Sequence, residues 1–140
     1  MKKKFLIFIP AYNVEKKILD VLNRIPKEIF NDHLTSILII DDFSKDNTRS
    51  VIKKYLETKS EDSSIQLIVN EKNFGYGGVQ KIAFKYAIKN NFDYVIMLHG
   101  DGQYAPEYLP KAFEPQVLLR TWATGRPCQK TLNRTNATCT

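Results

Sequence analysis

The chain has 140 residues, 43% of them hydrophobic and 26% charged, with a formal net charge of +6. That length suits one domain with a real core rather than two, and no apolar run is long enough to cross a bilayer, so a soluble globular chain is expected. The positive balance admits phosphorylated ligands or an anionic membrane surface, but the lysines (Lys16, Lys17, Lys53, Lys54, Lys81, Lys85, Lys89) are scattered through helical stretches without interleaved aromatics, which argues against nucleic acid.

Residues 4–9 read as a strand. A first buried strand is a better reading than a secretion leader, because the apolar run from Phe5 to Ile9 is shorter than a leader's and Pro10 and Asn13 follow without a cleavage site, so a cytoplasmic chain is expected. Residues 14–25 carry Val14, Ile18, Val21, Leu22 and Ile25 at helical spacing, closed by Pro26. Residues 35–42 form a second buried strand ending in Asp41 and Asp42, and residues 45–59 a helix whose N-cap is Asp46 or Asn47. A polar loop at 60–64 leads to a third strand at 65–70. A glycine-rich turn at 73–78 opens a helix at 79–91 with Ile82, Ala83, Tyr86 and Ala87 on one face. The fourth strand, 94–98, stops in His99, Gly100, Asp101, Gly102 and Gln103.

Strand and helix alternating in this way predict an α/β fold, a mostly parallel sheet with helices on both faces. Asn13, Asp41, Asp42, Asn70, Asn73, Asp101 and Gln103 all follow strands, so such a sheet would gather them along one edge, where open α/β sheets bind ligands. From residue 116 onward the composition changes: Asp, Glu, Ile, Phe and Tyr disappear, and Arg120, Arg126 and Arg134 replace the upstream lysine bias. The expected organisation is a domain over 1–115 and an atypical tail over 116–140, out of frame or otherwise foreign to the domain. Cys128 and Cys139 have no metal-ligand spacing. The acceptor triplets at Asn133 and Asn136 are read as chance, given the absence of a leader.

Asp101 and Gln103, two apart between glycines, suit Mg²⁺ or Mn²⁺ bridged to phosphate oxygens, ions that need only one or two carboxylates from the protein. Asp41 and Asp42 offer a further carboxylate for the ion or for a ribose or base; a helix cap with Ser44 and Asp46 is the structural alternative. Gly75, Gly77 and Gly78 suit a phosphate-cradling turn, with a simple strand-to-helix turn as the alternative, and Lys72 or Lys81 stands near enough to meet a diphosphate or be solvated. No Lys-Ser/Thr pair makes this a Walker motif, and Gln80 stands where a dinucleotide fingerprint needs its last glycine. A phosphotransfer receiver is disfavoured because a complete strand and helix precede the acidic pair.

Taken in order, PAYN, DDFSKDNT, NFGYGG and HGDGQYAPE resemble the nucleotide-binding half of family 2 glycosyltransferases of the GT-A fold, in the branch of the dolichyl-phosphate mannose and glucose synthases. The resemblance spans residues 4 to about 115. It implies that Pro10, Ala11, Tyr12 and Asn13, with Glu15, contact base and ribose, and that Asp41, Asp42 and Ser44 supply the acidic nucleoside contact. Asn73, Gly75, Gly77, Lys81, Gly100 and Asp101 complete the donor-binding set. The family's Asp-x-Asp metal motif is altered here, with His99 in the place of the first Asp, leaving Asp101 and Gln103 as the other ligands for Mg²⁺ or Mn²⁺. The implied reaction is metal-dependent, inverting transfer from a UDP- or GDP-linked sugar to a polyprenyl phosphate or glycan acceptor, at the cytoplasmic face of the membrane. The base, the acceptor site and the later strands would follow the matched region, so the half is truncated. A non-catalytic nucleotide-sugar-binding module is the alternative.

Overall fold

In a computed structural model of the protein, residues 2–31, 33–59 and 64–113 are described in full, and residues 130–132 and 137–139 by their backbone. Strands β1 (Lys4–Ala11), β2 (Leu34–Asp41), β3 (Ile65–Val69), β4 (Tyr94–Met97), β5 (Lys130–Leu132) and β6 (Ala137–Cys139) form one sheet in the order β3-β2-β1-β4-β5-β6. The first four are parallel. Lys4 stands opposite Leu34 and Ala11 opposite Asp41, Ile37 opposite Ile65, and Phe5 opposite Tyr94.

Around the sheet lie α1 (Ile18–Asn23), α2 (Thr48–Thr58), α3 (Gly75–Lys89) and α4 (Leu109–Ala112), with 3-10 turns at Lys27–Phe30 and Pro106–Tyr108. The α/β architecture with helices on both faces is as the alternation predicts. β1 is apolar at nearly every position because both its faces are covered. Phe5, Ile7 and Ile9 pack with Ile18 and Val21 of α1 and Ile52 of α2, while Leu6 and Phe8 face Val79, Ala83 and Ala87 of α3. Among the described residues no helix is long and apolar enough to cross a membrane.

Two helix starts differ from the sequence reading. α1 begins at Ile18 rather than at residue 14, because the Val14 N–H donates to Thr48 Oγ1 at 2.8 Å and the Glu15 N–H to Asp46 Oδ2 at 3.2 Å, drawing this stretch toward α2. α3 begins at Gly75, within the predicted turn. Within the region 116–140, β5 joins the sheet through Met97 opposite Thr131 and β6 runs antiparallel to β5. Cys128, Asn133, Asn136, the tail arginines and most of the polar loop at 60–64 lie outside the described residues or are described by no side chain.

Candidate functional site

Each parallel strand delivers a loop to the same edge. The Asp42 N–H donates to the Ala11 carbonyl at 2.9 Å, Asn70 N–H to the Asp41 carbonyl at 2.9 Å, and Gly100 N–H to the Pro10 carbonyl at 3.3 Å, so the loops set out from a shared hydrogen-bonded frame. Gly100 is required there. A Cβ on it would lie 2.9 Å from the Pro10 carbonyl oxygen and 3.2 Å from Ile18 Cδ1.

A cavity of about 280 Å³ opens at this edge. Its β1 side is made by Pro10, Ala11, Tyr12 and Val14, with Asp42 beside them. Asn73, Gly75, Tyr76 and Val79 close it from the α3 side, and His99, Gly100 and Asp101 from the β4 loop. Residues drawn from four loops of the sequence analysis therefore meet in one hollow. Val14, Tyr76 and Val79 were not foreseen; of these only Tyr76, an aromatic set among glycines, left a visible mark in the sequence.

The other candidates stand elsewhere. Asn13, in the left-handed region at φ 53°, accepts from Lys45 N–H at 2.8 Å and donates its own N–H to Ser44 Oγ at 3.0 Å. Glu15 accepts from Asn47 N–H at 2.8 Å. These residues lash the β1 loop to the start of α2, where Asp46 Oδ1 accepts from Thr48 N–H at 2.9 Å. Burial pushes the Asp46 carboxyl up, but its hydrogen bonds from Thr48 and from the Glu15 N–H outweigh that and hold it below its usual range. Asp41 is buried, accepts from Ser44 N–H at 3.3 Å, and lines a second hollow with Phe43, Ser44 and Arg49. Gly77, Lys81 and Gln103 are exposed and line neither hollow.

Asp42 lines the cavity but is also fully engaged in holding it. Oδ1 accepts from Asn70 Nδ2 and from Phe74 N–H, both at 2.8 Å, and Oδ2 from Gly75 N–H at 2.8 Å. It thus caps α3 from a different strand, supplying the negative charge and acceptor that a helix start favours. Of the glycines read from sequence as a phosphate-cradling turn, Gly75 gives its N–H to this carboxylate.

His99 is half-buried and packs between Tyr76, stacked with ring centroids 5.9 Å apart, and Tyr104, tilted at 4.8 Å. Burial lowers its basicity, opposed by the nearby Asp101 carboxylate, and the net shift is downward, favouring the neutral imidazole. Asp101 Oδ1 accepts from Gln103 N–H at 3.0 Å, closing the turn. Among the described residues no three His, Cys, Asp or Glu side chains converge as a metal cage. A lone carboxylate at a cavity mouth fits Mg²⁺ or Mn²⁺ that draws its remaining ligands from phosphate and water, and does not fit a closed structural site.

Residues 6–118 match the family model described as Glycosyl transferase family 2. Among curated relatives, the UDP-N-acetylglucosamine–dolichyl-phosphate N-acetylglucosaminyltransferase of Methanococcus voltae is 32% identical over 124 residues, covering 82% of this chain and 48% of the relative. The poly(ribitol-phosphate) β-N-acetylglucosaminyltransferase TarS of Staphylococcus aureus is 30% identical over 112 residues, 78% of this chain and 18% of that protein. The chain spans less than half the length of these relatives. The solved structure of S. aureus TarS 1-349 in complex with UDP-GlcNAc aligns with a TM-score of 0.54 at 27% identity over 70% of this chain and 26% of that one. A Pyrobaculum calidifontis mannosyltransferase, solved with GDP-Man and Mn²⁺, shares the fold with a TM-score of 0.59 at 17% identity over 82% of this chain and 34% of that one.

Proposed function

Since this chain belongs to the family 2 glycosyltransferases, we propose that its cavity is the donor site for a nucleoside-diphosphate sugar and that residues 1–115 are the donor-binding unit of an inverting, metal-dependent transferase. The observation that carries the reading is the meeting of the β1 loop, the start of α3 and the Asp101 loop in one cavity at the carboxyl edge of a parallel sheet. The UDP-N-acetylglucosamine of the M. voltae enzyme and the UDP-GlcNAc bound by TarS support the UDP arm of the UDP/GDP pair. The dolichyl phosphate of the M. voltae enzyme likewise supports a polyprenyl phosphate acceptor.

In this reading the base and ribose lie against Pro10, Ala11 and Tyr12, and the diphosphate at the Asp101 loop. Asp101 would hold Mg²⁺ or Mn²⁺ there, and the ion when bound offsets the negative charge that develops on the departing diphosphate. An acceptor oxygen attacks the anomeric carbon from the face opposite the phosphate, the bond from that carbon to the phosphate oxygen breaks, and the configuration inverts. A hydroxyl acceptor would give its proton to a carboxylate base; the described residues offer no candidate on the acceptor side. Asp42 acts by holding the α3 side of the cavity in place. His99, packed between two tyrosines, contributes shape to the wall, and a neutral imidazole adds no charge against a diphosphate.

The shortness of the chain against its relatives favours a second reading, a nucleotide-sugar-binding module without turnover. Calorimetric titration with UDP and GDP, in Mn²⁺, in Mg²⁺ and in chelator, tests the donor site. Metal-dependent UDP binding that Asp101→Ala abolishes is expected. Absence of nucleotide binding by the folded chain sinks the donor-site reading. Sugar transfer by a chain extended to the length of the relatives decides against the module.

A further inference from the structure

The cavity holds an aromatic side chain to which the sequence reading assigned no role. Tyr76, in the first turn of α3, is 54% exposed, yet its ring is held at two points. Its hydroxyl donates to the Met97 sulfur at 3.4 Å, and one face stacks on the His99 imidazole with 20° between the planes. Met97 is buried, and His99 is backed by Tyr104. An exposed tyrosine ordinarily turns its hydroxyl to water. Here the polar tip is tied down to a thioether and the apolar ring borders the cavity.

The local backbone fixes where that ring stands. Gly75 takes φ 70°, and a Cβ on Gly78 would come within 2.5 Å of Phe74 Cβ, so glycine at 78 lets Phe74 and Gly75 remain under Asp42. Tyr12, 44% exposed, lines the same cavity from the β1 loop. Two exposed aromatic side chains therefore border a hollow whose polar side chains are Asp42, Asn73, His99 and Asp101.

We propose that Tyr76 is a base-binding residue of the donor site, its fixed ring packing, together with Tyr12, against the planar base of the nucleoside diphosphate. The proposal rests on the donor-site reading above. A flat heteroaromatic ring gains more from an immobilised aromatic face than a puckered, hydroxylated pyranose does, and stacking of this kind tolerates either a pyrimidine or a purine. The base preference then falls to the polar groups around it.

The test is calorimetric titration of the wild type, Tyr76→Ala and Tyr76→Phe with UDP and with inorganic pyrophosphate, all in Mn²⁺. Tyr76→Ala is expected to weaken UDP about tenfold, the scale of one lost base–aromatic contact, and to leave pyrophosphate unchanged. Tyr76→Phe keeps the ring and is expected to bind UDP within about twofold of wild type. Wild-type binding that Tyr76→Ala does not alter overturns the proposal while the donor site stands. Equal weakening of UDP and pyrophosphate, or a Phe variant as weak as Ala, overturns it too, since Tyr76 would then act by supporting Met97 and His99. A wild type that binds no UDP removes the donor site and this proposal together.

Discussion

Replacing Asp42 by Ala would leave the buried Asn70 amide and the Phe74 N–H without their acceptor, while the Gly75 N–H keeps Asn73 Oδ1 at 2.9 Å. A loss of about 2–4 kcal/mol in unfolding free energy is expected, read by urea denaturation, because unsatisfied buried donors cost more than a hydrogen bond returns. Asp42→Asn retains an acceptor and should fall between. Sequence alone offered Asp42 as a nucleoside contact or as a cap for the helix that follows it. The helix it caps is the later one, α3. Its partners lie in the segment from Asn70 to Gly75, and only the parallel pairing of β2 with β3, Asp41 opposite Val69, brings them to it. Asp101 was easier to foresee, because a carboxylate between two glycines after an apolar strand carries its geometry locally. Its Oδ1 closes the turn with Gln103, and the side chain stands at the cavity.

At the scale of elements, periodicity found the strands and the helix faces, since burial on two faces writes itself into β1 and β2 as unbroken apolar runs. Helix starts were less legible. Val14 and Glu15 fit a helical pattern by spacing, but their N–H groups are claimed by Thr48 and Asp46 of a distant segment, and α1 is shortened accordingly. The other end of α1 has its own tie. Arg24 donates to both oxygens of Glu107, at 2.6 and 2.9 Å, and to Asp20 at 3.0 Å, joining α1 to the turn that follows the Asp101 loop. The hydrogen bonds from Arg24 hold the Glu107 carboxyl below its usual range. A carboxyl lowered by folding adds stability above its unfolded pKa and loses it as pH falls through its folded one. Arg24→Ala is therefore expected to lower Tm at neutral pH by the equivalent of about 1 kcal/mol or less, since the pair is exposed. That difference should close below the carboxylate range; thermal melts of both proteins across pH 2–7 check it, and a constant gap would exclude the linkage.

For the whole molecule, the two apolar clusters of the described residues cover both faces of the first four strands. On the proposal that residues 1–115 are the donor-binding unit, a chain cut after Pro115 is expected to unfold in one cooperative step and to keep its UDP affinity, measured by circular dichroism melts and calorimetry. Loss of cooperativity would mean that β5 and β6 carry more of the fold than their short pairing suggests. The proposed boundary itself comes from composition, since residue usage changes abruptly at 116. What no local pattern could reveal is the strand order. β1 lies in the interior of the sheet, with β2 on one side and β4 on the other, and Phe5 stands opposite Tyr94. On the ribosome β1 is therefore made well before β4, its second neighbour. At about 5–20 residues per second, one flank of β1 stays open for roughly 5–20 s of synthesis. The nascent chain thus exposes an unpaired hydrophobic edge over that interval, and its yield in a cell will depend on how well chaperones cover it.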